Sequence, residues 1–536
     1  MLSLKRPRPR EALFLIAVLA GWSYFLWRAI GAFGPASDVN AIDFNSDSAI
    51  PVLMVNDQRP ITVFNFYYYG ADRWGAWALL LMQVAGRIAG YRWTADSVFV
   101  AQATWLFVGA LVFARLSRRD GLVGGLVYLI ALCLHRESRY LIFALSQVYS
   151  WQTPAVLLGW WAMRRFYEHQ LESAQNERRW RSWLWLLAAS VFSYLAIWSS
   201  SASSLFLVLL LCVETIRALS RTGSAAGRRV LTTSSMAFSA VMAATVIERI
   251  QKWAYGRFSM QHYGNAFATH FALDTGHLVD NLQVQLAHLG RLSWWPLYVV
   301  ATLALIALAG AWAWDLIGRR HGLRGRVHDA LADDTVILAL GAWGIALLNV
   351  ALAVAVSHVR ANNYDDRYLT LTHLFGPISG MLTIFLLLKA AVRAHYARYV
   401  QPAFVIVALA LLASRFPRPA FSAQYHLLES TALALAEKAP RAVLMGDYWD
   451  TYVFTALQGD AAMVPVPLQG TFTRTPWTRN AARRAKQVIV AFRRRPPMAP
   501  VSPPPTLRQF GRLFRLVDPH WYDNESYTFA LYARGR

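Results

Sequence analysis

Apolar runs of about twenty residues, separated by short arginine clusters, recur along most of this chain and limit its fold more than any other feature. A run such as LFLVLLLCV, 205–213, has no polar residue to turn toward water. At 1.5 Å per residue, about 20 helical residues cross the ~30 Å hydrocarbon core of a bilayer. Of the 536 residues, 56% are hydrophobic and only 15% are charged, too few to coat a soluble protein of that size. The net charge of +23 would suit nucleic acid if it formed one patch. Instead the basic residues lie in clusters between apolar runs, as the positive-inside rule expects of cytoplasmic loops, and a nucleic-acid partner is excluded on that ground. Cys133 and Cys212 both sit inside apolar runs and read as small buried hydrophobes, with no disulfide framework.

Threading the chain by charge gives an expected topology. MLSLKRPRPR precedes an apolar run at 11–33 that lacks a small-residue cleavage site, so it reads as an uncleaved first span with a cytoplasmic N-terminus. The outer loop 34–96 follows. Its segment 74–91, WGAWALLLMQVAGRIAGY, is apolar enough to span, but spanning would put RLSRRDG on the outer side. A helix lying along the outer surface keeps those arginines inside and suits Arg87 better. Spans are then expected near 97–116, 121–135, 140–163, 183–199, 203–217, 230–247, 294–314, 335–357, 369–388 and 401–415. With the first, that makes about eleven. A second long outer loop occupies 248–292. One cluster, HRESR at 135–139, falls outside against the charge rule.

The character of the chain changes near 416. AVLMGDYWDTYVFTAL reads as strand, turn and helix, KQVIVAF as a buried strand, and SYTFALYAR alternates as a final strand. The expected fold class is therefore a mainly α, polytopic membrane protein. Residues 1–415 form its membrane module, with outer-surface helices, and 416–536 form a small outer α/β domain.

Under this topology the chemistry collects on the outer face. The first outer loop carries DFNSDSAIPVLMVND at 43–57, with Asp43, Asp47 and Asp57, and then Asp72 and Arg73. Ser46 or Asp47 suits the N-cap of a helix starting near Ser48, with Pro51 in its first turn. The aromatic run FNFYYYG offers Tyr68 and Tyr69 to stack on sugar faces, although tyrosine is also common at bilayer interfaces. Arginines facing the same side are Arg73, Arg136, Arg139, Arg360 and Arg367. His262, His270, His277 and His288 lie in the second outer loop without tight ligand spacing, so no metal site is assigned and a divalent ion is left open.

The order of elements resembles the GT-C superfamily of integral-membrane glycosyltransferases, which includes aminoarabinose transferases and protein O-mannosyltransferases. The shared features are one helix, an acidic outer loop, a surface helix, a span ending in RLSRRDG, further spans and an outer C-terminal domain. The resemblance implies transfer of a sugar from a polyprenyl-phosphate carrier at the outer leaflet. In that family an acidic motif in the first outer loop supplies the base. SDSA occupies its place here, so Asp47 matches the family aspartate. Ser48 stands where a glutamate is usual, which leaves Asp43 as the candidate for a second acidic role. DDRYLTL, 365–371, is similar to the family's late Arg-Tyr pair, and implies substrate-binding roles for Asp365, Asp366 and Tyr368 around Arg367.

The residues suit that chemistry. Transfer with inversion needs a carboxylate to take the acceptor's proton as its oxygen attacks the anomeric carbon. It also needs positive charge where the phosphate departs. The expected partners are a polyprenyl-phosphate-linked sugar, membrane lipids and a periplasmic acceptor that is a glycan, a lipid or a protein. The expected location is a bacterial inner membrane, with the site and the C-terminal domain periplasmic. A flippase of lipid-linked sugars is the rival reading, and a structural assembly subunit is a third. Transporters place ionisable residues near the midplane, whereas here they cluster in loops.

Overall fold

The computed structural model describes 41–535 except 43, 45, 70–73, 135–144, 146–147, 173–178, 223–226, 257–273, 319–328, 362–365, 393, 416–419, 422, 459–462, 469–474 and 495–501. The first span expected at 11–33 lies outside the described residues.

The membrane module is built of α1 (Ser46–Val55), α2 (Trp77–Ala89), α3 (Ala95–Ser117), α4 (Gly121–Leu134), α5 (Tyr149–Glu172), α6 (Arg179–Ser199), α7 (Ser203–Thr222), α8 (Gly227–Gly256), α9 (Thr275–Gly290), α10 (Trp295–Gly318), α11 (Asp334–Ala355), α12 (Thr370–Ala391) and α13 (Ala394–Arg415). Among the described residues, α3, α6, α7, α8, α11 and α12 are long and apolar enough to cross a membrane. A seventh span arises if α9 and α10, bent by 115° at their junction, count as one. Six or seven of the eleven expected spans therefore meet that test. Helix α5 is long enough, but it carries Arg164, Arg165 and Glu168, while α4 and α13 have only short apolar stretches. Helix α8 exposes Leu231, Phe238, Met242, Val246 and Ile250 along its length. In water such a stripe would be a liability, whereas lipid covers it at no cost. The chain is a multi-pass membrane protein.

The bundle has two chemically different ends. At one end, α3, α5 and α7 finish and α11 begins on a buried ion cluster. Arg164 pairs with Glu214 at 2.5 Å and reaches Asp334 at 3.5 Å. Arg217 pairs with Glu214 at 2.5 Å and with Asp334 at 3.4 Å. Arg118 bonds Glu168, Arg165 meets Glu168 at 2.9 Å, and Arg221 meets Asp334 at 3.0 Å. Nearby, Lys389 at the end of α12 holds Asp120 at 3.2 Å. Arg118 adopts a left-handed φ of 47° in the turn that joins α3 directly to α4.

The opposite end carries the loops. The helix expected to start near Ser48 starts at Ser46, so Asp47 lies inside its first turn rather than capping it, and Pro51 is its sixth residue. Helix α2 has 13 residues, a length of about 20 Å. Both ends of α2 lie at this loop end. Trp77 donates to Ser199 at the end of α6 (2.7 Å), and Asn56 bridges to the Trp93 backbone just before α3 (2.9 Å). Leu81 and Ile88, two turns apart, stay exposed on its outer side. The segment 248–292, expected as a loop, holds more helix than that, because α8 runs on to Gly256 and 275–290 is helical. Asp274 caps α9 by accepting from the His277 N–H at 2.8 Å, and Asn281, Gln285 and Leu289 form its buried stripe.

The C-terminal domain contains β2 (Ala420–Phe421), α14 (Ala423–Lys438), β3 (Val443–Gly446), α15 (Tyr448–Leu457), β4 (Val464–Pro467), α16 (Pro476–Arg484), β5 (Gln487–Arg493), β6 (Thr506–Gln509), β7 (Arg512–Asp523) and β8 (Tyr527–Arg534). Six strands form one sheet in the order β4-β3-β5-β8-β7-β6. The β4-β3-β5 pairings are parallel and the rest antiparallel. Strand β2 pairs instead with β1 (Ala41–Ile42), Ala41 opposite Ala420, which ties the domain to the chain just before the acidic loop.

Candidate functional site

The site grows from the segment 56–76 that seats the acidic loop on the bundle. Tyr67 bridges Gly75, and paired backbone bonds join Tyr68 to Trp74 (3.0 Å) and Ala76 to Phe66 (2.9 Å). Only glycine fits at 75: a Cβ there would lie 1.9 Å from the Trp198 carbonyl oxygen. The Trp198 indole in turn donates to Phe66 O at 2.8 Å, fixing the segment to the end of α6. Tyr67, Tyr68 and Tyr69 are all buried.

Asp57 is a structural carboxylate. Its Oδ2 accepts from the Tyr69 hydroxyl at 2.5 Å, and its Oδ1 faces Arg59 at 3.5 Å. Gln83 (2.6 Å) and Arg87 of α2 donate to its carbonyl. Burial, reinforced by the Asp57 charge, pushes the Tyr69 phenol well above its ordinary range, so it stays a donor. The ring of Tyr69 stacks on Phe64 at 5.1 Å, with Trp477 of the C-terminal domain edge-on at 5.4 Å. Arg59 lies over the same indole at 3.9 Å.

Asp47 is held differently, and sequence chemistry explains how. In a helix the carbonyl of residue 47 would accept from the N–H of residue 51, but Pro51 has none. The orphaned carbonyl oxygen takes the Tyr68 hydroxyl instead. The Asp47 carboxylate is half-buried, and its Oδ1 accepts from the Tyr448 hydroxyl at 2.6 Å, from the first residue of α15. One turn along α1, Pro51 and Tyr68 line a cleft walled by Trp74, Trp77, Leu79, Leu145 and Trp151. In this conformation the cleft is narrow, with room for about one water molecule. Its walls are aromatic and aliphatic with few polar groups.

The structure brings Asp47, Asp57, Tyr68 and Tyr69 into one region, with Asp47 and Tyr68 joined directly. Asp43, Arg73, Arg136, Arg139 and Asp365 lie outside the described residues. Asp366 and Arg367 fall in the one-turn helix Asp366–Leu369 that leads into α12. Tyr368 there accepts from Asn349 through its carbonyl at 3.0 Å. Arg360 is exposed and contacts His277 of α9 at 3.2 Å. Among the described residues no group of three or more His, Cys, Asp or Glu side chains is placed to hold a metal.

Sequence reasoning missed Tyr448 and Glu248. Glu248 is buried near the loop end of α8, its carboxylate 4.0 Å from Arg249, and its carbonyl accepts from the Tyr67 hydroxyl at 3.5 Å. The available signal was a single glutamate in VIERIQK, closing an apolar run with Arg249 and Lys252 just after it. Nothing local in the sequence marks Tyr448, whose partner is 401 residues away.

No family model and no curated protein matches the chain. It is similar to the solved structure of ArnT from Cupriavidus metallidurans bound to undecaprenyl phosphate, at 13% identity over 97% of each chain with a TM-score of 0.49. The same protein in its apo state gives a TM-score of 0.41 at 13% identity, again over 97% of each chain. The Archaeoglobus fulgidus oligosaccharyltransferase in complex with zinc and sulfate gives 0.37 at 12% identity, over 88% of this chain and 67% of that one. Likenesses at this level lend no residue role to this chain.

Proposed function

We propose that this protein is a membrane glycosyltransferase that moves a sugar from a polyprenyl-phosphate carrier to an acceptor hydroxyl or amine, with Asp47 as the general base. The observation that carries the reading is the seating of Asp47. A half-buried carboxylate is fixed through both its backbone and its side chain, one helical turn from an aromatic cleft at the loop end of an apolar bundle. A merely solvated loop residue would have no need of either anchor. SDSA and DDRYLTL add the motif resemblance.

In the proposed step the acceptor heteroatom attacks the anomeric carbon and gives its proton to Asp47. The bond from that carbon to the phosphate oxygen breaks, and its electron pair leaves with the polyprenyl phosphate. Arginine stabilises the charge that develops on the phosphate. Arg367, at the loop end of α12, is the first residue to assign to it, with Arg73, Arg136, Arg139 and Arg360 behind, and Asp365, Asp366 and Tyr368 frame the substrate beside it. Tyr68 lines the aromatic cleft, and Tyr69 holds the neighbouring loop through Asp57, Phe64 and Trp477. Asp43 is the candidate second carboxylate. The loop end faces the periplasm of a bacterial inner membrane, where the acceptor is a glycan, a lipid or a protein.

The test is transfer of labelled sugar from synthetic polyprenyl-phosphate donors by purified protein. Asp47→Asn keeps the size of the side chain and much of its hydrogen bonding, so turnover should fall by about 10²–10⁴ with little change in unfolding temperature. Full turnover in Asp47→Asn removes the base assignment, and absence of transfer by the wild type across all acceptors removes the enzyme.

A further inference from the structure

The C-terminal domain was expected as a separate soluble unit, yet it touches the acidic loop at points on both sides of Asp47. Before Asp47, β1 pairs with β2, and Phe44 packs edge-on against Tyr425 of α14 at 5.3 Å. After it, Trp477 of α16 packs on Arg59, Phe64 and Tyr69. Between these ties, α15 lies against α1 and places its first side chain on the Asp47 carboxylate.

Helix α15 is itself firmly set. Asp447 caps it by accepting from the Trp449 N–H at 2.8 Å. Asp450 accepts from the Tyr527 hydroxyl at 2.8 Å, which pins the helix to β8. The Tyr448 ring is buried between Trp449 (5.0 Å) and Tyr452 (5.4 Å), leaving its hydroxyl little freedom to go elsewhere.

We propose that Tyr448 is a positioning residue for the transfer step: its hydroxyl fixes the rotation of the Asp47 carboxylate, so the site is complete only with the C-terminal domain docked. The proposal rests on Asp47 being the base. A base must meet the acceptor's proton within hydrogen-bond reach and in the right direction, and a side chain free to rotate loses much of that alignment. Locked donors behind a reacting group are how proteins hold such alignment. A second role for the same contact would be a plain latch between the two parts, and the two roles differ in what they change.

Tyr448→Phe removes one oxygen and leaves the ring packing in place. A hydrogen bond to a charged group is worth enough that kcat should fall about ten- to a hundredfold. Donor KM and the unfolding temperature should stay near the wild type. Trp477→Leu is the comparison, since it weakens docking without touching Asp47, and should lower the unfolding temperature. Turnover is counted per folded molecule, so partial unfolding of either variant does not enter kcat. If Tyr448→Phe keeps wild-type kcat while Asp47→Asn is impaired, the positioning role is overturned and the base survives. A loss in Tyr448→Phe that follows donor KM and unfolding temperature, as in Trp477→Leu, also overturns it in favour of the latch. Full activity in Asp47→Asn overturns both the base and the inference built on it.

Discussion

Pro51 decides how Asp47 is presented, although it carries no chemistry itself. Removing one N–H from α1 frees the Asp47 carbonyl, and the structure spends that acceptor on Tyr68. A buried acceptor left without a donor costs about 1–3 kcal/mol, so Tyr68→Phe should destabilise the protein by that order. In the Pro51→Ala background the helix can supply its own N–H, and the same Tyr68→Phe change should then cost much less. Thermal unfolding of the two single variants and the double variant, in one detergent, measures the difference. Equal costs in the two backgrounds would mean that Tyr68 matters only through its ring. SDSAIPVLMV was legible as an acidic helix start containing a proline. What the proline was for could not be read, because the donor that replaces its N–H comes from a different segment. The Tyr448 hydroxyl was hidden for the same reason.

At the scale of helices, hydropathy located most segments because lipid demands long apolar stretches whatever their neighbours are. It was weakest where charge is buried. RLSRRDG and the arginines that close α5 and α7 read as wet cytoplasmic loops, yet Arg164 and Arg217 are fully buried against Glu214. Sequence shows sign and spacing but not pairing across helices. Five arginines (118, 164, 165, 217 and 221) share three carboxylates (168, 214 and 334), so the cluster keeps excess positive charge and each carboxylate serves at least two arginines. Glu214→Gln removes the nearest carboxylate from two buried guanidinium groups at once and leaves them only the longer carboxylate contacts to Asp334 and Glu168. Breaking a buried pair from one side costs about 3–5 kcal/mol, which should appear as a large drop in unfolding temperature in detergent. A drop no larger than that from an exposed substitution would show that water or lipid phosphate compensates the arginines. Helix α9 was missed as a helix because its buried stripe is polar, Asn281 and Gln285, so hydropathy did not register it. Strands β3, β5 and β8 were legible because short buried runs need no distant partner to be recognised, whereas β4, β6 and β7 carry no such run and were not named.

Over the whole molecule, the ion cluster and the acidic loop lie at opposite ends of the bundle, and every described connection respects that division. Helices α3, α5 and α7 finish at the arginine end, and α12 reaches it at Lys389. Helix α2, the start of α3 and the C-terminal domain share the loop end. The positive-inside rule then predicts an orientation, with the arginine end cytoplasmic and the loop end outer. The check is cysteine labelling of intact cells with an impermeant reagent, in a background carrying Cys133→Ala and Cys212→Ala because Cys212 is itself exposed. Tyr91→Cys, just beyond α2, and Glu437→Cys, on α14, are exposed positions at the loop end and should both label. Arg228→Cys, exposed at the start of α8, should label only after the cells are opened. Labelling of Arg228→Cys alone would invert the protein and put the proposed site in the cytoplasm, out of reach of the proposed outer-leaflet donor. Tyr91 and Glu437 on opposite sides would mean that α2 crosses the membrane, and the bridge from Asn56 to the Trp93 backbone, which holds both ends of α2 at the loop end, could not then form.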